Sequence, residues 1–436
     1  MVLKRMLLKR MLLRRMRAKD SATRRAGARV TCAALLCLAS LALSGCRRHD
    51  FPTYPAKYRE YVYVANAGSG TVSALDVVNL RLDREIAVAA DPFAVLAAKT
   101  RNEVYVLSSG SPASGATENG LAGAGNRAGT LTVVNAETQR VAATLPAGRG
   151  PRGFALDPED RFAYVAASAG ISSATPSLVV LDLVHRRLAA EVPLRAVPDR
   201  VTVAPDGRSV MVASVAGNEL TILNADPVGG RWAVRAQVGG CAGADAMAVL
   251  PDSSKVFVAC SRGHQVMAVE LAWRADARLG RSYARADALE AMLDVGQLPG
   301  YLALKPDGGE LFVSNTGSNS ISEVVTSSDD VGGTYLIGSM PEFGLVSEDN
   351  SLLYESSLQS QQIAVYGIDD GRRLGSIHVG DGPDRMTFSA RGNLLFAIDR
   401  RSGDVAAVRT DTRSLFTLLP VGRDPVAIAD KYFTIP

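Results

Sequence analysis

The stretch YVYVANAGSGTVSALD, Tyr61–Asp76, sets an aromatic and β-branched run against Asn-Ala-Gly-Ser-Gly and then turns apolar again. A glycine cluster after a strand can cradle a phosphate, but only where a helix follows whose N-terminus meets the anion. Thr71–Asp76 instead alternates as a strand does. The cluster therefore predicts a turn between two strands.

The same pattern recurs along the chain. Aligned on one aromatic or apolar position, the repeats begin at Tyr63, Tyr105, Tyr164, Met211, Phe257, Phe312, Leu353 and Phe396, spaced by 42, 59, 47, 46, 55, 41 and 43 residues. Each unit reads as four strands: an A strand of the FALD type, B of the YV type, C of the VSALD type and D of the REIAV type. Such periods with four strands per unit are those of propeller blades. Tight polar turns precede the B strands, as in DPEDR (157–161), PDGR (205–208), PDSSK (251–255), KPDGG (305–309), SEDNS (347–351) and SARGN (389–393). Their Asp, Asn and Gly supply positive φ or cap the backbone. ADALEAMLD (286–294) fits either one helical turn or a strand. A glycine cluster repeated in every unit is architecture, since a nucleotide site copied eight times around a ring is not credible.

FVSNTGSNSISEV (312–324) and GSIHVGDGPDRMTFSARGNLLFAID (375–399) carry the plainest resemblance to the YVTN-repeat β-propeller family, and the likeness runs from Tyr61 to Phe433. The expected fold is all-β, a β-propeller of four-stranded antiparallel blades. Eight blades are expected, with seven and a degenerate fifth unit outside the ring as the alternative. By resemblance, PVAIADKYF (425–433) is an innermost strand that completes the blade begun by Tyr61–Val64, closing the ring by strand complementation.

The N-terminus reads differently. Residues 1–29 hold eleven Lys/Arg against one acid, and an uncharged run, VTCAALLCLASLALSG (30–45), follows. A basic segment, a short apolar stretch and small residues at its end form a secretory signal. Leu43-Ser44-Gly45-Cys46 resembles a bacterial lipoprotein lipobox, which implies a lipidated Cys46, and Arg47 after it favours the outer membrane. The expected organisation is a signal peptide over 1–45, a lipid-anchored linker over 46–60 and one propeller domain over 61–436. Removing the leader takes eleven of 48 Lys/Arg but one of 44 Asp/Glu, so the net charge moves from +4 to about −6. A mildly acidic surface argues against nucleic acid as partner.

In a propeller of this strand order the B–C and D–A connections share one face, and the D–A connections converge on the central channel. Residues near their prolines should ring its mouth: Phe93, Arg152, Asp199, Arg200, Asp245, Tyr301, Glu342, Asp384, Arg385 and Asp424. They could hold a polar ligand, or Arg–Asp pairs such as Arg200–Asp199 and Arg385–Asp384 could only brace the rim. The Gly/Ala/Ser-rich insertion at 108–129 is either an idle loop or a lid on the same face. Cys241 and Cys260 both reach that face, one hairpin apart, where an oxidising compartment allows a disulfide; two free thiols are the alternative.

Four histidines, His49, His185, His264 and His378, are scattered, and no metal site is expected. Cys-x-x-Cys-His, Gly-x-Ser-x-Gly and His-Glu-x-x-His are absent, so no cofactor is expected. The arginine-rich segment 273–288 also carries acids and lies on the C–D side, which suits a solvated insertion. Three function classes remain. The first is a membrane-tethered module that binds a protein, peptide or glycan of the envelope through its loop face. The second is a hydrolase similar to lactonase-type propellers, and the third an accessory subunit of an envelope redox or assembly complex.

Overall fold

The computed structural model describes residues 53–110, 127–226, 228–276, 281–284, 286–337 and 340–435. The expected signal peptide, Cys46 and most of the 108–129 insertion lie outside these residues. Residues 56–436 form one compact unit. Among the described residues every regular element is a strand.

The strands pair as the repeat requires. Four-stranded antiparallel sheets run A-B-C-D, for example Pro299–Leu304, Glu310–Asn315, Ser320–Val325 and Asp330–Leu336. One sheet has seven strands, because Arg140–Leu156 is continuous. Its first part pairs with Ala128–Asn135 and its second with Phe162–Ala169, so it is the D strand of one unit and the A strand of the next. Pro425–Thr434 pairs antiparallel with Tyr58–Asn66, in register from Tyr58↔Thr434 to Ala65↔Ala427. The innermost strands also pack on their neighbours, Pro425–Thr434 lying against both Pro92–Ala97 and Pro383–Phe388. The fold is a β-propeller.

Burial follows radial position. B and C strands are buried on both faces, as in Glu103–Ser108 and Ser177–Asp182, because a neighbouring sheet covers each side. D strands expose nearly every residue, as in Arg81–Ala87. The aligned aromatic position is the centre of this packing: Tyr63, Tyr105, Tyr164, Met211, Phe257 and Phe396 are fully buried, and Phe312 and Leu353 nearly so. ADALEAMLD resolves as the strand Ala288–Asp294 pairing with Gln265–Glu270. Before it, Trp273–Asp276 and Arg281–Ala284 form a separate two-stranded ribbon.

The polar turns share one geometry. Each of the six polar A–B turns closes an i to i+3 hydrogen bond at a residue of positive φ: Asp160, Gly207, Ser253, Gly308, Asn350 and Gly392. The Gly cluster of the opening stretch is a B–C turn. Ser69 and Gly70 donate their backbone N–H groups to the Asn66 carbonyl, and Gly70 takes φ +63°. Asn66 Nδ2 donates to Ser73 Oγ (2.8 Å) and Thr71 Oγ1 (3.2 Å), and Asn315 repeats this with Ser322 (2.9 Å) and Ser320 (3.3 Å). The asparagine of the motif thus ties the end of strand B to strand C.

Candidate functional site

The D–A connections turn inward to the A strands through a sharp bend. The residue before proline adopts positive φ at Asp91, Gly150, Leu298, Gly382 and Asp424. Beyond this bend the A strands surround a central cavity of about 470 Å³, lined by side chains and backbone from Pro92–Ala97, Arg140–Leu156, Arg200–Val203, Ala244–Val249, Pro299–Leu304, Phe343–Val346, Pro383–Phe388 and Pro425–Thr434.

Of the ten expected rim residues, Phe93, Arg152, Arg200, Tyr301 and Arg385 line this cavity. Asp199 and Asp245 stand with Phe93, Arg152 and Arg200 around a shallower recess of about 360 Å³ at its mouth. Glu342, Asp384 and Asp424 lie outside both linings. The chemistry of the cavity is one-sided: among the described residues three arginines line it and no carboxylate does.

The arginines are held in two ways. Arg152 Nη1 donates to Asp199 Oδ1 (2.9 Å) and Arg200 Nε to Asp245 Oδ1 (2.9 Å). The expected Arg200–Asp199 pair within one unit is therefore replaced by pairs between units. Arg200 reaches the acid of the next unit and leaves its sequence neighbour Asp199 to Arg152 of the unit before. Both arginines remain about half exposed. Arg385 instead covers an aromatic pair: Tyr301 and Phe343 have ring centroids 4.3 Å apart, and the guanidinium carbon sits 5.6 and 5.1 Å from them. Such a stack orients a cation while leaving its edge free to donate.

A second group gathers beside Arg385. Asp384 is 3.6 Å from Arg385 and 3.9 Å from Arg400, which pairs with Asp424 at 2.9 Å. Burial raises the Asp384 carboxyl above its ordinary range, although Arg385 and Arg400 oppose the shift. Glu342 is raised chiefly by desolvation and then by Asp384, against Arg385, Arg400 and Arg401. The expected Arg385–Asp384 contact is present, but Asp384 faces two arginines and a second acid.

Cys241 and Cys260 are joined in a disulfide and fully buried. Cys260 ends its B strand where other units have Asn66, Asn315 and Asp399, so the disulfide replaces a hydrogen-bonded brace. Among the described residues no cluster of three His, Cys, Asp or Glu could hold a metal. His185 is exposed beside Asp182, and His264 Nδ1 accepts from the Leu298 N–H. No helix of the described residues is long and apolar enough to cross a membrane.

Sequence reasoning missed Glu355. It occupies the B-strand position held by Ala65, Leu107, Ala166, Ala213, Ala259, Ser314 and Ile398 in the other units, and that odd acid in a buried strand was the available signal. It is fully buried with Ser314 Oγ as its hydrogen-bond donor, 3.2 Å from each carboxyl oxygen, and burial pushes its pKa up to about 8.

No family model matches the sequence, and no curated protein does. Solved structures are similar in fold. Dihydro-heme d1 dehydrogenase NirN in complex with DHE superposes with a TM-score of 0.66 at 16% identity, over 87% of this chain and 76% of that one. Apo AztD from Citrobacter koseri gives 0.60 at 11% identity, over 86% and 98%. The periplasmic gluconolactonase PpgL of Pseudomonas aeruginosa gives 0.53 at 17% identity, over 75% and 98%. At these identities the likeness is one of architecture.

Proposed function

We propose that this chain is an eight-bladed propeller of the YVTN-repeat type, tethered outside the cytoplasm through Cys46, that binds an anionic small molecule with an apolar or aromatic body in its central cavity. The blade count is supported by the seven-stranded sheet, which divides into two blades at Arg149. Ring closure is supported by the pairing of Pro425–Thr434 with Tyr58–Asn66. One observation carries the ligand class: three arginines and an aromatic pair line one cavity that no described carboxylate enters. A ligand anion there gains charge-assisted hydrogen bonds in a partly desolvated site. The cavity size favours a small molecule over the envelope protein, peptide or glycan expected from the sequence, since 470 Å³ lies within the roughly 300–1,000 Å³ of small-ligand pockets.

The test is calorimetric titration with benzoate, gluconate and inorganic phosphate on the wild type and on Arg200→Ala and Arg385→Ala. A carboxylate with an apolar body should bind best, and each variant should weaken it about tenfold, the worth of one charge-assisted contact. Absence of binding, or binding indifferent to both changes, rejects the reading.

A hydrolytic reading has its own support in the raised Glu342 and Asp384 beside Arg385 and Arg400, an acid pair next to cations that could stabilise an oxyanion. The gluconolactonase among the similar structures makes glucono-1,5-lactone the probe. Turnover lost in Glu342→Gln would favour hydrolysis over binding alone.

A further inference from the structure

A second cavity, of about 250 Å³, lies between the sheet of Glu310–Asn315 and that of Leu352–Ser356. Glu355, Ser356, Ser360, Gln362, Ile337 and Arg373 line it. Glu355 is the inner group. Gly344 opposite makes room for it, since a Cβ there would lie 2.6 Å from Glu355 Oε1. Among the described residues no cation reaches within ion-pairing distance of Glu355, and no acid within that distance of Arg373.

The two charged residues flank one strand. Glu355 pairs with Ala364, and Arg373 pairs with Tyr366 two positions along the same strand. Two strand spacings across and two residues along put their backbones about 12 Å apart, which the Arg373 side chain shortens. An uncompensated buried carboxyl is costly and is relieved by a cation brought to it. An exposed guanidinium over the same opening offers a fork for a carboxylate. Ser356, Ser360 and Gln362 supply neutral donors and acceptors between the charges.

We propose that this cavity binds a small zwitterion of amino-acid size, its ammonium against Glu355 and its carboxylate against Arg373. At about 250 Å³ the cavity lies below the roughly 300–1,000 Å³ of drug-sized sites, which limits the occupant to a small molecule. Because burial holds Glu355 protonated at neutral pH, with Ser314, Tyr301 and Tyr366 facing it among the described residues, arrival of an ammonium draws the carboxyl into its ionised form and releases a proton.

The experiment is calorimetric titration of the full chain at pH 7 with glycine, β-alanine, γ-aminobutyrate, ethylamine and propionate, in two buffers of different ionisation enthalpy. At least one zwitterion should bind about tenfold more tightly than both single-charge probes, with proton release seen as a buffer-dependent enthalpy. Glu355→Gln and Arg373→Ala should each weaken it about tenfold, and Glu355→Gln should abolish the proton release. Arg373 is on an exposed strand, so its variant keeps the test decisive if Glu355→Gln fails to fold. No zwitterion binding at millimolar concentration, or binding unchanged in Arg373→Ala, overturns the proposal.

Discussion

Glu355→Gln is predicted to stabilise the protein at neutral pH and to leave it unchanged in acid. The folded pKa of about 8 lies above the 4.5 of an unburied glutamate, so folding favours the protonated form. That contribution is complete below pH 4.5 and is lost as pH rises through 8. At pH 7 the folded chain must take up a proton that the unfolded chain has released, at a cost of about 3 kcal/mol from 1.36 kcal/mol per pH unit. Glutamine does not titrate, and its carbonyl still accepts the Ser314 hydroxyl. Urea unfolding of both proteins should give nearly equal stabilities at pH 4. The gap should open by about 3 kcal/mol at pH 7 and level off above pH 8. Other carboxylates titrate in both proteins and cancel in the difference. Parallel stability curves from pH 4 to 9 would mean that Glu355 is hydrated in solution, and the reasoning from its burial would be refuted.

Replacing both Cys241 and Cys260 by alanine should lower the unfolding free energy by about 3 kcal/mol, the loop-closure value for a separation of 19 residues; an unchanged urea midpoint would contradict it. Asn315→Ala removes two hydrogen bonds from a buried brace and should cost about 1–2 kcal/mol, read by the same titration. Asp199→Asn and Asp245→Asn release Arg152 and Arg200 from their partners, so each should tighten benzoate binding several-fold. Weaker binding in both would show that the acids contact ligand themselves.

The fold was legible because its determinants are local and repeated. Periodic YV strands, the Asn at their ends and the Asp/Asn/Gly turns each specify one backbone geometry, and repetition averages out exceptions such as Leu353-Tyr354-Glu355. The D–A prolines located the mouth of the cavity for the same reason. What escaped was anything that depends on the angle between neighbouring units. Asp199 and Arg200 are adjacent in sequence, yet they point to different neighbours, and only the packing of A strands around the axis decides which partner each meets. Tyr301 and Phe343 come from different units, so their stacking under Arg385 has no local signature. Glu355 was visible as an odd acid, but its surroundings are made by Gly344, Ser314 and Ile337, which are distant in sequence.

The uninterrupted strand Arg140–Leu156 gives one sector of the ring a stiffness that the others lack. Elsewhere a loop separates each D strand from the next A strand, and neighbouring sheets can shift independently by bending it. Here paired backbone runs from the outer rim to Arg152 through a corner at Gly148 and Gly150, with no intervening loop. Its corner is clamped by Gly150 N–H on the Arg127 carbonyl, with Pro151 packed so closely that Gly129 has no room for a Cβ. A displacement of Arg127 should therefore reach Arg152 through paired backbone. Amide exchange in the two halves of this seven-stranded sheet should accordingly slow or quicken together, as one mechanical element.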